Sequence, residues 1–368
     1  MSELTEEYEA VRDQARRYLD DTAQPEHLKA LLEVPGSFDA TLWAGAVEQG
    51  WPAAALPELH DGLGLGWRGV CVLAEELGRK CASLPLVSSA AVAHILAASG
   101  TDQPQLAKLV SGERHACLAL CQSGDAGLAL RPEVRWSGQA ISGGTAITAF
   151  GASADLALVP AWSDPANALV LVLVELNQPG VLRQNEPVID NSRAAATLHF
   201  QNAPAQVLAE GRAAEALLWQ AAALAAIGSA FEQIGGAQAC LDMARDFALE
   251  RKAFGQPIGR FQAIKSKLAD IYIRVELARG CALDALAAFE DKRPDWHSLA
   301  AATRVAATDA YEISARETIQ THGAIGVTWE AMPHHHYRRS RSLALELGAA
   351  AIWRERLLAT ATFISTVQ

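Results

Sequence analysis

Residues 250–270 read ERKAFGQPIGRFQAIKSKLAD, and this stretch decides how the rest of the chain is interpreted. Pro257 disfavours helix at the residue before it, so the sequence predicts one helix ending in FALERK and another beginning in RFQAIKSKLAD. Arg251 can fork onto phosphate oxygens, Phe254 can lie against a planar base, and Gln262 can hydrogen-bond to an amide or hydroxyl. An interhelical turn with a surface arginine and a core phenylalanine explains the same residues, so physics alone leaves both interpretations open.

Composition limits the classes of protein that this chain can represent. It has 368 residues, of which 50% are hydrophobic and 20% charged, which predicts a globular protein of two or three domains. The net charge of -11 disfavours a broad nucleic-acid or anionic-membrane surface. The six cysteines form no CxxC pair, and the acidic start MSELTEEYEA lacks the pattern of a secretory signal. We therefore expect a cytoplasmic protein with reduced thiols, in which the apolar run LLWQAAALAAIGSAF is a core helix and not a membrane span.

Three regions differ in their residue patterns. From residue 1 to about 112, apolar residues recur at helical spacing, as in GVCVLAEELGRKCA. From about 113 to 205, short runs such as ALVLVLVEL and AATLHF are divided by Gly, Asn, Pro and Asp, which is typical of strands. From about 206 to 368, long stretches rich in Ala, Leu, Glu and Arg predict helices of five or more turns. The sequence thus predicts an α+β protein with a helical domain at 1–112, a β-sandwich or barrel at 113–205 and a helical bundle at 206–368.

The string ERKAFGQPIGRFQAIKSKLADIYIRVELARG resembles the best-known signature of the acyl-CoA dehydrogenases. The α, β, α domain order is similar to that family over essentially the whole chain. The resemblance implies the acyl-CoA dehydrogenase fold, with a C-terminal four-helix bundle, and FAD as the cofactor. It also implies that Arg251 holds the FAD pyrophosphate, that Phe254 packs by the adenosine part and that Gln262 contacts the cofactor, which is seated mainly in a neighbouring subunit.

A second segment, QTHGAIG, is similar to the family's glutamine followed by a glycine-rich turn. The resemblance implies that Gln320, Gly323 and Ala324 touch the AMP half of FAD. Gly323 and Gly326 would allow the ligand to approach the backbone closely. A helix that ends at a glycine C-cap explains the same residues, and both interpretations can hold at once.

The implied reaction requires a carboxylate near the α carbon of an acyl-CoA thioester, and this chain lacks an obvious one. One usual family position falls on Leu347, with Glu346 one residue earlier. On a helix one residue is a rotation of about 100°, which would aim that carboxylate elsewhere. The alternative position falls near Ala225, and Glu232, two turns later, is expected to face solvent or a neighbouring helix. We therefore assign no catalytic base to this chain.

The segments that would cradle the flavin ring also depart from the family. Typical members carry a Thr-Glu-Pro-x-x-Gly-Ser-Asp-like loop, and here LCQSGDAGLAL places Gln122, Ser123, Gly124 and Asp125 where Thr-Glu-Pro would lie. A tryptophan-containing strand usually follows, whereas AITAFGASADLALVPA offers only Phe150. The resemblance therefore supports contacts to the FAD tail more strongly than a complete flavin cradle.

Three hypotheses for the function follow. In the first, the chain resembles the β subunit of heterotetrameric α2β2 acyl-CoA dehydrogenases that act on CoA-linked steroid or bile-acid side chains. It would contribute FAD-tail contacts to a homologous catalytic subunit, and an electron-transfer flavoprotein or similar acceptor would take the electrons. The second is a self-sufficient homomeric dehydrogenase with a displaced base at Glu346 or Glu232. The third is a binding or scaffold protein that has kept the fold and lost the cofactor.

Two charged clusters near residue 335 invite other interpretations. The three consecutive histidines at 334–336 point about 100° apart on a helix, so they cannot converge on one metal ion. A polar helix start after the preceding proline explains them better. Arg338, Arg339 and Arg341 could pair with a CoA or FAD phosphate, or nearby glutamates could neutralise them.

Overall fold

Short helices build the N-terminal region, and the computed structural model describes residues 5–101, 103–120 and 131–360 of the chain. Within α4, Val70, Leu73, Ala74 and Leu77 recur along one helix face and are buried. This periodicity is why the region folds as helices packed on a common core. The bounds are α1 Glu6–Thr22, α2 Pro25–Glu33, α3 Ala40–Glu48, α4 Gly66–Lys80, α5 Leu86–Ser99 and α6 Gln103–Val110.

A single sheet forms the middle of the described chain. Its strands are β1 Ala116–Leu118, β2 Arg135–Trp136, β3 Ala140–Gly144, β4 Leu156–Ser163, β5 Ala168–Glu175, β6 Val181–Asn185, β7 Ala196–Pro204 and β8 Gln206–Glu210. They lie in the order β6-β7-β3-β2-β4-β5-β8, and β1 pairs with β4. The strand β8 pairs with β5, so the sheet continues past residue 205, where the sequence placed the domain boundary.

Strands β4 and β5 are buried on both faces. Along β4, Leu156 and Leu158 pack among leucines and alanines of α5 and α7, whereas Ala157 and Val159 pack inside the β region itself. Successive residues of a strand point to opposite faces, so a near-continuous apolar run is what a strand covered on both sides requires. The sheet is therefore fastened to the helices by one of its faces.

The C-terminal region is a helical bundle around one long central helix. The helices are α7 Gly211–Glu250, α8 Gln262–Glu290, α9 Trp296–His322, α10 Met332–Leu345 and α11 Ala350–Thr360. Two-residue strands, β9 Lys252–Ala253 and β10 Gln256–Pro257, form a small hairpin between α7 and α8. By length and composition α7 could span a membrane, but 72% of its apolar window is buried inside the protein, as expected for a core helix.

Glycines allow α4 and α7 to cross with their backbones in contact. A Cβ atom at Gly78 would lie 1.8 Å from the carbonyl oxygen of Glu232, and one at Gly235 would lie 1.9 Å from that of Glu75. Both distances are far shorter than any real carbon–oxygen contact, so only glycine fits at either position. The crossing fixes the depth at which Glu232 sits inside the protein.

Candidate functional site

A cavity of about 880 Å³ lies where the sheet, α5, α7 and the link between α10 and α11 meet. Its walls are mainly apolar, and they include Leu84, Val87, Leu118, Ile147, Phe150 and Leu345. The volume and the apolar lining suit a small-molecule ligand. The charged residues of its lining are Arg193, Glu232, Arg341 and Glu346.

Both positions at which the family would carry a base lie on this cavity. Ala225 and Leu347 line it, and neither can accept a proton. The segment around Leu347 is not helical, because α10 ends at Leu345, Glu346 is its C-cap with ψ 140°, and Leu347 has φ 62°. The expectation that helical rotation aims the Glu346 carboxylate elsewhere was therefore wrong. The carboxylate lies in the cavity wall, and a different interaction restrains it.

Arg193 binds both candidate carboxylates at once. Its Nε and Nη2 donate to the two oxygens of Glu346 at 2.9 and 2.7 Å, and its Nη1 donates to Oε1 of Glu232 at 3.0 Å. The guanidinium also stacks on the ring of Phe150, 4.7 Å from the ring centroid. Arg304 of α9 donates to the backbone carbonyl of Glu346 at 2.6 Å and so holds the link in place. A base needs an accessible carboxylate oxygen, and here Arg193 engages both oxygens of Glu346 and Oε1 of Glu232.

Arg339 extends this network to the N-terminal region. Its Nη1 donates to Oε1 of Glu232 at 3.0 Å and its Nε donates to Asp190, while its remaining N–H groups reach the carbonyls of Cys81 and Ala82. Glu232 is only 4% exposed, so of its two expected environments the structure excludes solvent and shows a neighbouring helix, α10. We call Asp190, Arg193, Glu232, Arg339 and Glu346 the buried ion network, in which three carboxylates meet two guanidiniums.

The pKa values of Glu232 and Asp190, the two fully buried acids of the network, shift in opposite directions. Burial raises the pKa of Glu232 above its ordinary value, although Arg193 and Arg339 pull it down. Burial also acts to raise the pKa of Asp190, but Arg339 and hydrogen bonds from Ser192 outweigh it and the pKa is lowered. A raised pKa alone would suit a base, but the Glu232 oxygen that faces the arginines accepts from two guanidiniums. The arrangement favours fixed carboxylates over one that picks up a substrate proton.

The hairpin between α7 and α8 presents residues expected to hold the FAD tail. Arg251 and Gln262 are exposed, and Phe254 is 95% exposed. Phe254 and Gly255 form the hairpin turn with φ 53° and 80°, and a bulky residue rarely adopts such a left-handed conformation. Phe254 touches Phe261 edge to face, with centroids 6.2 Å apart. Of the two interpretations left open, the core phenylalanine is excluded, because the ring faces outward, which fits a site that another molecule covers.

The second expected segment lies at the same end of the bundle. Gln320, Gly323 and Ala324 are exposed at the end of α9, and Gly323 is the C-cap with φ 66°. Phe247 near the end of α7 stacks on His322 at 4.2 Å between centroids, which joins the ends of the two helices. The structure thus presents both segments on one surface, and their exposed guanidinium, amides and ring fit the chemistry of an adenine dinucleotide tail. The segment with Gln122, Ser123, Gly124 and Asp125 lies outside the described residues.

The arginines of α10 have separate contacts, and of the two interpretations left open, neutralisation by carboxylates holds for Arg339 and Arg341. Arg339 is fully buried in the ion network. Arg341 pairs with Glu312, and Arg338 donates to the carbonyl of Ile189 at 2.8 Å. His334 and His335 pack against Trp329, whereas His336 contacts Tyr311, and among the described residues no group of three or more His, Cys, Asp and Glu could hold a metal ion.

His336 provides a pH-dependent prediction. It is 2% exposed, its Nδ1 lies 2.9 Å from the hydroxyl of Tyr311, and burial together with Arg339 lowers its pKa from 6.5 to about 3. Below pH 6.5 the unfolded chain binds a proton that the folded chain refuses, so this stability is complete above pH 6.5 and is lost as the pH falls. Relative to His336→Gln, wild type should lose about 1.4 kcal/mol per pH unit down to about pH 4.5. Urea unfolding at each pH measures this, and parallel pH profiles would contradict it.

Family models match the chain at both ends. The description "Acyl-CoA dehydrogenase, N-terminal domain" matches residues 5–113, and "Acyl-CoA dehydrogenase, C-terminal domain" matches residues 220–362. Acyl-CoA dehydrogenase IpdE2 of Mycolicibacterium smegmatis is 28% identical over 346 residues, which cover 94% of this chain and 96% of the relative.

Solved structures share the fold over nearly the whole chain. A variant of the Tcur3481-Tcur3483 steroid ACAD superposes with a TM-score of 0.88 at 29% identity and covers 98% of this chain and 99% of that one. The ChsE4-ChsE5 complex from Mycobacterium tuberculosis contains a chain with a TM-score of 0.87 at 24% identity, covering 97% of each. At that identity the second likeness concerns the fold alone.

Proposed function

Because this chain belongs to the acyl-CoA dehydrogenase family, we propose that it is the noncatalytic β-type subunit of a heteromeric, FAD-dependent acyl-CoA dehydrogenase. The observation that carries the proposal is that Arg193 binds both candidate bases, while the family's own base positions hold Ala225 and Leu347. The complex would introduce an α,β double bond into a steroid side-chain CoA thioester in the cytoplasm. Its electrons would pass to an electron-transfer flavoprotein or a similar acceptor. Likeness to a steroid ACAD named as a pair of chains supports this substrate class and assembly.

In this proposal the chain's own residues hold and orient rather than transfer protons. Arg251, Phe254 and Gln262, with Gln320 and Gly323–Ala324, would hold the tail of an FAD whose ring lies mainly in the partner. When bound, FAD supplies the acceptor for the β hydrogen, which leaves as hydride. Arg193 would hold both oxygens of Glu346 and one oxygen of Glu232, so these carboxylates would act as fixed groups of the cavity wall.

The test is to express the chain alone and together with its nearest-encoded acyl-CoA dehydrogenase homologue, then to compare flavin absorbance and mass in solution. We expect flavin in the heteromeric pair and little in the lone chain. In the pair, Glu346→Gln should keep the wild-type turnover, and Arg251→Gln should weaken FAD binding about tenfold through a lost charge-assisted contact. A yellow homo-oligomer that oxidises an acyl-CoA unaided, and loses this activity in Glu346→Gln, would establish the self-sufficient alternative. A pair that never binds flavin would favour the scaffold alternative.

A further inference from the structure

A second cavity of about 430 Å³ opens between the end of α9 and the start of α10. Four polar side chains line it, namely Arg316, Gln320, His334 and Arg338, and the rest of the lining is Ile, Val and Tyr. No carboxylate is among the described residues that form this wall. We call it the cationic cup. The resemblance to the family accounts for Gln320 alone among its polar residues.

The hydrogen-bond pattern leaves one donor of His334, a residue that lines the cup, without a partner. Arg338 Nε donates to His334 Nε2 at 3.1 Å, so Nε2 is the acceptor of the ring. The neutral ring then carries its hydrogen on Nδ1, which is buried and has no hydrogen-bond partner. Burial and the charge of Arg338 lower the pKa of His334, in agreement with a neutral ring. A buried N–H without an acceptor is costly, and an anion in the cup would satisfy it.

The two guanidiniums leave capacity for an anion. Arg338 stacks on Trp329, 5.2 Å from the ring centroid, and its Nη1 donates to the carbonyl of Ile189. These two contacts fix the plane of the guanidinium. Arg316 makes a surface ion pair with Glu317 at 3.3 Å, and its side chain is 65% exposed. An exposed pair of this kind contributes little, so Arg316 can turn to another anion at low cost. Planar guanidiniums suit the tetrahedral oxygens of a phosphoryl group.

We propose that the cationic cup binds a phosphoryl group through Arg316, Arg338 and the Nδ1–H of His334, with the Gln320 amide as a fourth donor. Two sources carry this chemistry, namely the diphosphate of FAD and the 3′-phosphate of CoA. That the phosphoryl group belongs to FAD or CoA rests on the proposed function. That the cup binds an anion rests only on the residues that line the cup.

The experiment measures ligand affinity on the purified full chain, together with any subunit that accompanies it. Three variants remove one donor each, namely Arg316→Gln, Arg338→Gln and His334→Phe. Arg293→Gln is the matched control, because this exposed arginine pairs with Asp284 and Asp295 at the opposite end of α9, about 30 Å from Arg316. The titrants are FAD, CoA, 3′-dephospho-CoA and inorganic pyrophosphate, all at one ionic strength. Arg316→Gln is the most secure variant for folding, because its side chain is mostly exposed.

Each arginine variant should weaken binding about tenfold, and the control should not. Weaker FAD binding identifies the diphosphate as the source. Loss of the preference for CoA over 3′-dephospho-CoA identifies the 3′-phosphate. If the protein binds no flavin and no CoA, the proposed function fails, yet pyrophosphate binding that the variants lose still supports the cup. Affinities for all four titrants that match those of Arg293→Gln would overturn the proposal while leaving the proposed function intact.

Discussion

Arg339→Met is expected to lower the free energy of unfolding by about 3–5 kcal/mol, because it leaves buried carboxylates without their counter-charge. Asp190 would lose its buried partner, Glu232 would keep only Arg193, and the carbonyls of Cys81 and Ala82 would lose their donor. Urea denaturation followed by circular dichroism gives the free energy.

A neighbour on the same helix provides the control. Arg341 pairs with Glu312, but its side chain is 42% exposed, so Arg341→Met should cost less than about 1 kcal/mol. Equal losses in the two variants would show that burial of the network does not determine its contribution. A double variant that also replaces Asp190 with Asn should recover part of the loss, because it removes a charge that Arg339→Met leaves unpaired.

The second large effect is expected at the crossing of α4 and α7. Gly235→Ala places a methyl group where only 1.9 Å separates it from the carbonyl oxygen of Glu75. The helices must move apart, and we expect a loss of about 3 kcal/mol in the free energy of unfolding. Because Glu232 lies one turn away on α7, the shift should also disturb the buried ion network. Thermal and urea unfolding measure the loss.

Gly280 on α8 is the matched control for this substitution. No heavy atom lies within 4 Å of a Cβ built there, and the residue is in a helix. Gly280→Ala should therefore stabilise the protein by about 0.5–1 kcal/mol, since alanine restricts the unfolded chain and favours helix. If Gly235→Ala were also neutral or stabilising, the close approach of the two backbones would be wrong.

The sequence predicted the α, β, α order because each region has its own periodicity over many residues. Two helical stretches at 3.6-residue spacing flank runs that read as strands, and the structure has this order. The last strand was missed because β8, Gln206–Glu210, is short and leads directly into α7. The end of the β region depends on the pairing of β8 with β5, which is distant in sequence. The local residue pattern does not predict that pairing.

The burial of Glu232 could not be predicted, because its partners are distant in sequence. Arg193 lies 39 residues before it and Arg339 lies 107 residues after it. For a lone glutamate in an apolar helix, the local sequence therefore left open whether it faces solvent or a neighbouring helix. Arg339 did carry a usable signal, since it shares a helix face with His336 and Leu343, three residues before and four after. Spacing along α10 thus indicated an inward arginine, whereas charge clustering alone left phosphate pairing and neutralisation by glutamates both open.

The residues expected to hold the FAD tail, unlike Glu232, could be predicted from the sequence. A long motif predicted Arg251, Phe254 and Gln262 without any structural input, and all three residues are exposed. The left-handed conformation of Phe254 was not predicted, because it depends on the two-residue hairpin that closes between Lys252 and Pro257. Whether FAD occupies this surface remains a prediction until binding is measured.

The buried ion network also determines how cooperatively the protein unfolds. It ties together a loop of the sheet through Asp190 and Arg193, the central helix through Glu232, the α10 segment through Arg339 and Glu346, and the N-terminal region through the carbonyl of Cys81. Opening of the sheet loop, of α7 or of the α10 segment leaves a buried charge without its partner, and opening of the N-terminal region leaves N–H groups of Arg339 without acceptors. A chain of this size would ordinarily melt in stages, but here the slowest-exchanging amide hydrogens of all three regions should share one opening event.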